Sequence, residues 1–196
     1  KVWIIDPIDG TKSFITKDDD YSVMVALVEN NIPVLGIVYQ PTFKLLYVAQ
    51  EEQGAYVTTD LKAWTRLNVS PETNLSESSA VMSRHHLKKD DVSFMESLGV
   101  TNYLQKGSGG LKIGLICEGK THLYFNSTDQ QKQWDTAASY VIIKEAGGKI
   151  TDLLGKELEY NVKELSHKKG ILATNNTQHE TIVERYKKFI EKKGLI

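Results

Sequence analysis

Two aspartates near the start of the chain have the spacing and the neighbours that metal chemistry requires. Residues 6–11 (DPIDGT) directly follow an apolar run, residues 1–5, that is typical of a buried β-strand. Carboxylates at a strand end can converge on one cation, and such hard oxygen ligands suit Mg²⁺. Gly10 lets the backbone approach a ligand closely, and successive N–H groups beside it could bind an oxyanion. The same residue types form simple turns, but their order after a strand favours the metal site.

A second candidate segment, residues 134–138 (WDTAA), lies far downstream. Asp135 occupies the N-cap position of a helix that is predicted over residues 135–146 and that ends before a glycine pair. Capping alone would explain this aspartate, yet a carboxylate that caps a helix can also coordinate a metal. Trp134 is interpreted as a packing residue.

The elements that must position these residues change in kind along the chain. The first half predicts short strands, at residues 1–5, 21–28, 34–40, 45–50 and 54–58, and their spacing favours antiparallel hairpins. The second half alternates strands at 79–82, 121–125, 149–152 and 170–174 with helices at 90–98, 110–118, 135–146 and 178–193. We therefore predict layered sheets and helices. A strand-rich subdomain, residues 1–75, carries DPIDGT, and an α/β subdomain follows at residues 76–196.

Composition and charge exclude several classes of protein. The chain has 196 residues with 24 Lys and Arg against 25 Asp and Glu, a formal net charge of -1, which argues against a broadly basic nucleic-acid binder. No apolar run approaches the roughly 20 residues of a membrane helix. The single cysteine, Cys117, cannot form an internal disulfide and indicates a reducing, cytoplasmic compartment. Because the chain opens inside an apolar strand without Met, we expect that residues upstream of Lys1 are missing.

Three segments together resemble the inositol monophosphatase superfamily: residues 6–11, residues 135–138 and the sequence EAGG at residues 145–148. The resemblance covers essentially the whole chain. It implies an α/β (α+β) fold, the layered αβαβα sandwich of the sugar-phosphatase type. It also implies a lithium-sensitive phosphomonoesterase that uses about two or three Mg²⁺ ions and a metal-activated water. The implied partner is a small phosphorylated substrate, with no nucleic-acid polymer and no membrane, and the implied state is a monomer or homodimer.

The resemblance also assigns roles to individual residues. Four positions resemble metal ligands: Asp6, the backbone carbonyl of Ile8, Asp9 and Asp135. Asp6 resembles the carboxylate that bridges metals, whereas Asp9 and Asp135 resemble ligands of a neighbouring ion. Gly10 and Thr11 resemble donors to the substrate phosphate, and Asp135 is counted with them as substrate-binding. Thr11, through its hydroxyl, and Asp9 are assigned to catalysis.

Two further segments favour one branch of this superfamily, the CysQ-like 3'(2'),5'-bisphosphate nucleotidases. Residues 82–86 (MSRHH) resemble the Ser-Arg-Ser-His segment of that branch, and residues 107–112 (GSGGLK) resemble its Gly-Ser-x-x-Leu-Lys segment. By this resemblance His86, Ser108 and Lys112 contact the nucleotide, chiefly its second phosphate. Lys112 would supply charge at the first turn of a helix, beside free N–H groups. The predicted reaction is hydrolysis of the 3'-phosphate of adenosine 3',5'-bisphosphate.

Alternatives to this substrate stay open. His86 and its neighbour His85 are equally consistent with exposed polar residues, and Lys112 with a surface lysine. The branch often has an arginine in the loop before its Trp-Asp motif, but residues 126–133 contain none. Lys132 does not offer the two-pronged phosphate binding of an arginine. Inositol monophosphate is therefore the nearest other substrate.

The superfamily also carries an upstream glutamate-rich motif and N-terminal helices, and the chain starts after both. A catalytically inactive metal- or anion-binding module, or a fragment, is thus a second class of protein that the sequence permits. The presence of Asp6, Asp9, Thr11 and Asp135 argues against decay of the metal site.

Overall fold

The computed structural model of the protein describes residues 1–194. Its first half forms a six-stranded sheet in which the strands neighbour one another in chain order, and every neighbouring pair is antiparallel. The strands are β1 (Val2–Asp9), β2 (Ser22–Glu29), β3 (Ile32–Gln40), β4 (Leu45–Gln50), β5 (Gly54–Thr58) and β6 (Thr65–Arg66). A short helix, α1 (Thr11–Ile15), connects the first two strands. The predicted antiparallel hairpins are confirmed.

The second half forms a five-stranded mixed sheet with four helices. Its strands are β7 (Ser79–Ser83), β8 (Asn102–Lys106), β9 (Leu123–Asn126), β10 (Lys149–Thr151) and β11 (Ile171–Thr174). The helices are α2 (Lys89–Ser97), α3 (Gly109–Cys117), α4 (Ala137–Glu145) and α5 (His179–Lys192). The strand order is β10-β11-β9-β7-β8, and β7 runs parallel to both of its neighbours.

Two hydrophobic cores join these elements into layers. One core combines the first sheet, α3, α4 and one face of the second sheet. The other packs α2 and α5 against the opposite face of the second sheet. Helix α4 approaches β3 closely because Gly36 has no side chain, since a Cβ there would lie 2.1 Å from the carbonyl oxygen of Ala138. The result confirms the predicted α/β sandwich and fixes the two halves of the chain against each other.

Within residues 1–194 the layers run sheet, helix, sheet, helix. In β2 the alternate residues Met24, Ala26 and Val28 are buried in the core, as a strand with one inward face requires. The residues between them face the other side of the sheet and are only half-buried. The outermost helical layer of the five-layer pattern is thus not among the described residues.

The prediction of a buried first strand is wrong for these residues. Trp3 is 58% exposed and Ile5 is 55% exposed, because β1 lies at the edge of its sheet with one face outward. An apolar run shows that a strand prefers burial, but it does not show whether a partner covers both faces. The strand also extends further than predicted, through the whole of DPID.

Three other elements were not predicted: α1, β6 and β8. Strand β8 has the polar sequence NYLQK and forms the exposed edge of the second sheet, so its apolar signal is weak. The division at residues 75 and 76 stays a prediction; it falls between the two sheets, and residues 195 and 196 lie outside the described part. Among residues 1–194, none of the helices combines the length and apolarity that crossing a membrane requires.

Candidate active site

The two aspartates of DPIDGT share one side of the first sheet because β1 contains a bulge. Residues three apart on a regular strand point to opposite faces. Asp6 pairs with Met24 of β2, whereas Asp9 pairs with Ser22, so three steps along β1 match two along β2. The extra residue returns Asp9 to the face of Asp6. Met24 and Ser22 are both buried, so this is the face that points inward.

Asp135 reaches the same place from the second half of the chain. The predicted N-cap role of Asp135 is wrong, because Thr136 precedes α4 and Asp135 ends a short 3₁₀ turn before it. In that turn its Oδ2 accepts a hydrogen bond from the backbone N–H of Lys132 at 2.7 Å. One carboxylate oxygen from each of Asp6, Asp9 and Asp135 lies within 4.8 Å of the others. The two sequence motifs therefore meet in one acidic cluster.

The N-terminus of α3 holds Asp9 in this cluster. The Oδ2 atom of Asp9 accepts hydrogen bonds from the Ser108 hydroxyl at 2.5 Å and from the Gly110 N–H at 3.0 Å. Ser108 is also the N-cap of α3, since its Oγ accepts the Leu111 N–H at 3.1 Å. Ser108 was predicted to contact the nucleotide, but its buried hydroxyl is committed to Asp9 and to the helix. It orients a carboxylate instead.

The carboxylates repel one another in a poorly solvated setting. Burial, followed by the charge of Asp9, raises the pKa of Asp6. Burial raises the pKa of Asp135 to about 7, with the charges of Asp9 and Asp6 adding to it and the Lys132 N–H opposing it. A divalent cation would relieve this repulsion, and three converging hard oxygen donors fit Mg²⁺. The donor set could thus hold a divalent metal ion.

A cavity of about 370 Å³ opens beside the cluster. Of the predicted site residues, Asp9, Gly10, Thr11, His86, Lys112 and Asp135 line it. Further lining residues include Lys12, Ser83, His85, Tyr124, Asn126, Thr128, Gln130 and Gln131. The residues from β9 and the loop after it were missed, because no local motif marks them and only the fold brings them to the cavity.

The turn after β1 shapes the floor of the cavity. Gly10 has a φ of 84°, and a Cβ there would lie 2.7 Å from the carbonyl oxygen of Asp20, so a side chain at this position is excluded. The Thr11 hydroxyl donates a hydrogen bond to the carbonyl of Ile8 at 2.9 Å. The predicted metal-binding carbonyl and the predicted catalytic hydroxyl are therefore in direct contact.

Lys112 is the buried cation of the cavity. Its side chain is not on the surface, because the residue is only 2% exposed. The Nζ atom donates to the carbonyl of Gly107 at 3.0 Å and lies 5.2 Å from the centre of the Tyr124 ring. Burial lowers the pKa of Lys112 to about 8, although the charges of Asp9 and Asp20 oppose this. Burial also lowers the pKa of His86, and the nearby Lys12 adds to that effect.

Lys132 and Trp134 are not among the residues that line the cavity. The Lys132 Nζ donates to the Ser166 hydroxyl at 2.6 Å. Trp134 is 36% exposed, so it packs less completely than predicted. The loop before Asp135 therefore contributes neutral side chains, Gln130 and Gln131, in place of an arginine.

Similarities to known proteins extend over most of the chain. A model of the inositol monophosphatase family matches residues 1–191. The 3'(2'),5'-bisphosphate nucleotidase CysQ of Salmonella typhimurium is 35% identical over 170 residues, which are 84% of this chain and 64% of that protein. The chain thus spans slightly less than two thirds of that relative's length.

Two solved structures share the fold. The structure of CysQ from Bacteroides thetaiotaomicron matches 89% of this chain and 70% of its own with a TM-score of 0.78 and 31% identity. The Thermotoga maritima IMPase matches 97% of this chain and 70% of its own with a TM-score of 0.79 and 29% identity.

Proposed function

Because this chain belongs to the inositol monophosphatase family, we propose that the protein is a Mg²⁺-dependent phosphatase that removes the 3'-phosphate of adenosine 3',5'-bisphosphate. The observation that carries this proposal is the composition of one cavity, in which an acidic cluster and a buried lysine are brought together. The acidic cluster suits a metal, and the lysine suits an anion in addition to the phosphate that is cleaved. The similarity to CysQ proteins supports the same substrate.

The metal would be held by Asp6, Asp9 and Asp135, whose carboxylate oxygens converge within 4.8 Å. Bound there, Mg²⁺ supplies positive charge that favours ionisation of water and neutralises the phosphoryl oxygens. Ser108 and the Gly110 N–H keep one oxygen of Asp9 occupied, which leaves its other oxygen free to bind. The Ile8 carbonyl would add a ligand from the backbone.

Thr11 is suited to orient a water molecule. Its hydroxyl already donates its proton to the Ile8 carbonyl, so the lone pairs of Oγ1 can accept a hydrogen bond from water. A water held there would lie beside a phosphate bound at the backbone N–H groups of Gly10 and Thr11. Those groups stand at the start of α1, where helical N–H groups have no intrahelical acceptor.

The second phosphate would be bound by Lys112, with His86 beside it. An ammonium group is a strong partner for a phosphate when little water competes with it. Inositol monophosphate has no second phosphate, so Lys112 would contribute less to its binding. Inositol monophosphate nevertheless stays the second candidate substrate, because Lys132 is bonded to Ser166 and the loop before Asp135 offers neutral amides.

The test is Mg²⁺-dependent phosphate release by the full-length protein from adenosine 3',5'-bisphosphate and from inositol 1-phosphate, side by side. Faster turnover of the nucleotide supports the proposal. Faster turnover of the inositol ester would keep the reaction and contradict the roles of Lys112 and His86. No release from either, in the presence of Mg²⁺, would contradict the phosphatase itself and favour a binding module. Lithium inhibition and a cytoplasmic location are further parts of this proposal, and a monomer or homodimer stays a prediction.

A further inference from the structure

The loop between α1 and β2 carries a carboxylate that no part of the proposed reaction uses. The side chain of Asp20 is only 5% exposed. Its Oδ1 accepts a hydrogen bond from the Lys106 Nζ at 2.8 Å, and its Oδ2 accepts from the Arg84 Nη2 at 2.6 Å and from the Gly107 N–H at 3.3 Å. Two cations of the second sheet thus meet one buried anion of the first half. Charge-assisted bonds of this kind are the strong ones, and removing the shared anion takes the buried partner from both cations, which leaves Arg84 only its more exposed pair with Asp18.

Each partner of Asp20 lies next to a group that lines the cavity. Arg84 directly follows β7 and directly precedes His85 and His86. Arg84 itself is not among the lining residues, and its guanidinium pairs with Asp20 and with Asp18. The carboxylate therefore ties the histidine segment to the loop that follows the DPIDGT turn.

The second tie leads to Lys112. Lys106 ends β8, and Gly107 joins that strand to the N-terminus of α3. The carbonyls of these two residues accept the Lys112 Nζ at 3.4 Å and 3.0 Å. Asp20 holds the same two residues by the Lys106 side chain and the Gly107 N–H. The position of the Lys112 ammonium is thus connected to Asp20 through one pair of residues.

The backbone around Asp20 is also tightly packed. A Cβ on Gly107 would lie 2.6 Å from the Asp20 carbonyl oxygen and 2.1 Å from the Ser13 Oγ. A Cβ on Gly10 would lie 2.7 Å from the same carbonyl oxygen. The loop that contains Asp20 therefore packs closely against two segments. One is the Gly10–Thr11 turn, which would bind the cleaved phosphate, and the other is Gly107, whose carbonyl accepts the Lys112 Nζ.

We propose that Asp20 is a positioning residue that sets the distance between the Gly10–Thr11 turn and the Lys112 and His86 groups. That distance determines whether a substrate with two phosphates fits the cavity, whereas a substrate with one phosphate needs only the turn. The inference rests on the proposed function, since it assigns the second phosphate to Lys112. It goes beyond that function by placing the control of substrate selectivity outside the cavity.

The test is Asp20→Asn in the full-length protein, with Asp18→Asn as the matched control. Asp18 lies in the same loop and pairs with the same Arg84 at 3.3 Å, but its side chain is 29% exposed and screened by water. For Asp20→Asn we expect KM for adenosine 3',5'-bisphosphate to rise by about tenfold, because Lys112 and His86 are no longer held at the distance from the Gly10–Thr11 turn that two phosphates require. KM for inositol 1-phosphate, kcat for both substrates and the Mg²⁺ concentration for half-maximal rate should change less than about threefold. Asp18→Asn should change none of them by more than about twofold.

An equal rise of KM for both substrates, or a change confined to kcat or to the Mg²⁺ requirement, would overturn the proposal. Arg84→Met and Lys106→Met each remove one tie and leave the buried carboxylate with a partner, so they serve if Asp20→Asn does not fold. Each should show the same selective rise of KM, and Arg84→Lys should restore part of it.

A binding measurement separates this inference from the proposed function. Calorimetric titration with adenosine 3',5'-bisphosphate requires no turnover. If the wild-type protein binds the nucleotide without hydrolysing it, the proposed reaction fails, while a tenfold weaker affinity of Asp20→Asn would still support the positioning role. Equal affinities of the wild-type protein and Asp20→Asn would contradict that role, whatever the turnover.

Discussion

Burial shifts pKa values in two regions of the site in opposite directions. The acidic region consists of Asp6, Asp9 and Asp135, and the cationic region is Lys112. Burial raises the pKa of Asp135 to about 7 and lowers the pKa of Lys112 to about 8. Each group is therefore closer to losing its charge than it would be in water. The two regions differ in how the protein supports them. Asp9 and Asp135 accept hydrogen bonds from a hydroxyl and from backbone N–H groups, whereas Lys112, among residues 1–194, donates only to backbone carbonyls.

The difference teaches which ligand each region requires. A cluster of three carboxylates becomes stable when a divalent cation joins it, and a buried ammonium becomes stable when an anion joins it. The charged groups of both regions therefore have partners of opposite charge only when a metal ion and an anion are both bound. This is the arrangement that hydrolysis of a phosphate ester on a metal demands, and it predicts that the two ligands help each other to bind.

The largest expected effect is in the acidic region. Asp135→Asn should reduce turnover by about a thousandfold or more in the full-length protein, because one metal ligand is lost. The same change should raise the melting temperature of the metal-free protein by a few degrees, or roughly 1 kcal/mol. The raised pKa of Asp135 means that its ionisation costs folding stability as the pH rises from about 4 to 7, and Asn removes that cost.

Phosphate release and thermal unfolding in the presence of a chelator check this prediction. Asp129→Asn is the matched control, since Asp129 is an exposed aspartate of the same loop. If Asp135→Asn kept wild-type turnover, Asp135 would not be a metal ligand. If it lowered the melting temperature of the metal-free protein, the repulsion within the acidic cluster would be contradicted.

The next effect concerns Thr11, which lines the same cavity. Thr11→Val removes the hydroxyl that bonds to the Ile8 carbonyl and should lower kcat by roughly a hundredfold, the usual effect of one well-placed group. Thr11→Ser keeps the hydroxyl and should retain most of the rate. Steady-state kinetics at saturating Mg²⁺ measures both variants, and equal rates for Val and Ser would exclude a role for the hydroxyl.

A smaller effect is expected in the cationic region. Lys112→Met keeps the length of the side chain and removes its charge, so KM for adenosine 3',5'-bisphosphate should rise by about tenfold. KM for inositol 1-phosphate should rise much less. Lys132→Met serves as the control, because Lys132 is bonded to Ser166 away from the cavity. A similar loss for both substrates would show that Lys112 only supports the fold.

The smallest effect is a pH dependence of substrate preference. Lys112 loses its proton as the pH rises through about 8, so the preference for the bisphosphate should fall by a few-fold between about pH 7 and 9. His86, whose pKa is lowered by burial, is already neutral in this range and contributes nothing to the change. The ratio of kcat/KM for the two substrates measures the preference. Lys112→Met should make that ratio independent of pH, and a wild-type ratio that stayed flat would contradict a titrating Lys112.

The sequence was informative where the relevant residues are adjacent. DPIDGT and WDTAA each lie in one segment, so both aspartate motifs could be identified and placed at the ends of elements. The α/β fold could be predicted from the change in spacing of apolar residues along the chain. The bulge in β1 could not, because it depends on how the strand pairs with β2.

Contacts between distant segments account for most of what was missed. Ser108 was predicted as a substrate contact, but its bond to Asp9 crosses 99 residues of chain and has no local pattern. The ties of Asp20 to Arg84 and Lys106 are of the same kind. Asp135 shows a third limit, since its N-cap pattern is real but the 3₁₀ turn moves the cap by one residue.

The most direct test of the account is the coupling between metal and phosphate. Calorimetric titration of the protein with inorganic phosphate, with and without saturating Mg²⁺, measures it without any turnover. The account predicts that Mg²⁺ tightens phosphate binding by about tenfold or more, that phosphate tightens Mg²⁺ binding by the same factor, and that Asp135→Asn abolishes both effects. Equal phosphate affinity with and without Mg²⁺ would contradict the claim that the acidic cluster and the cations form one site.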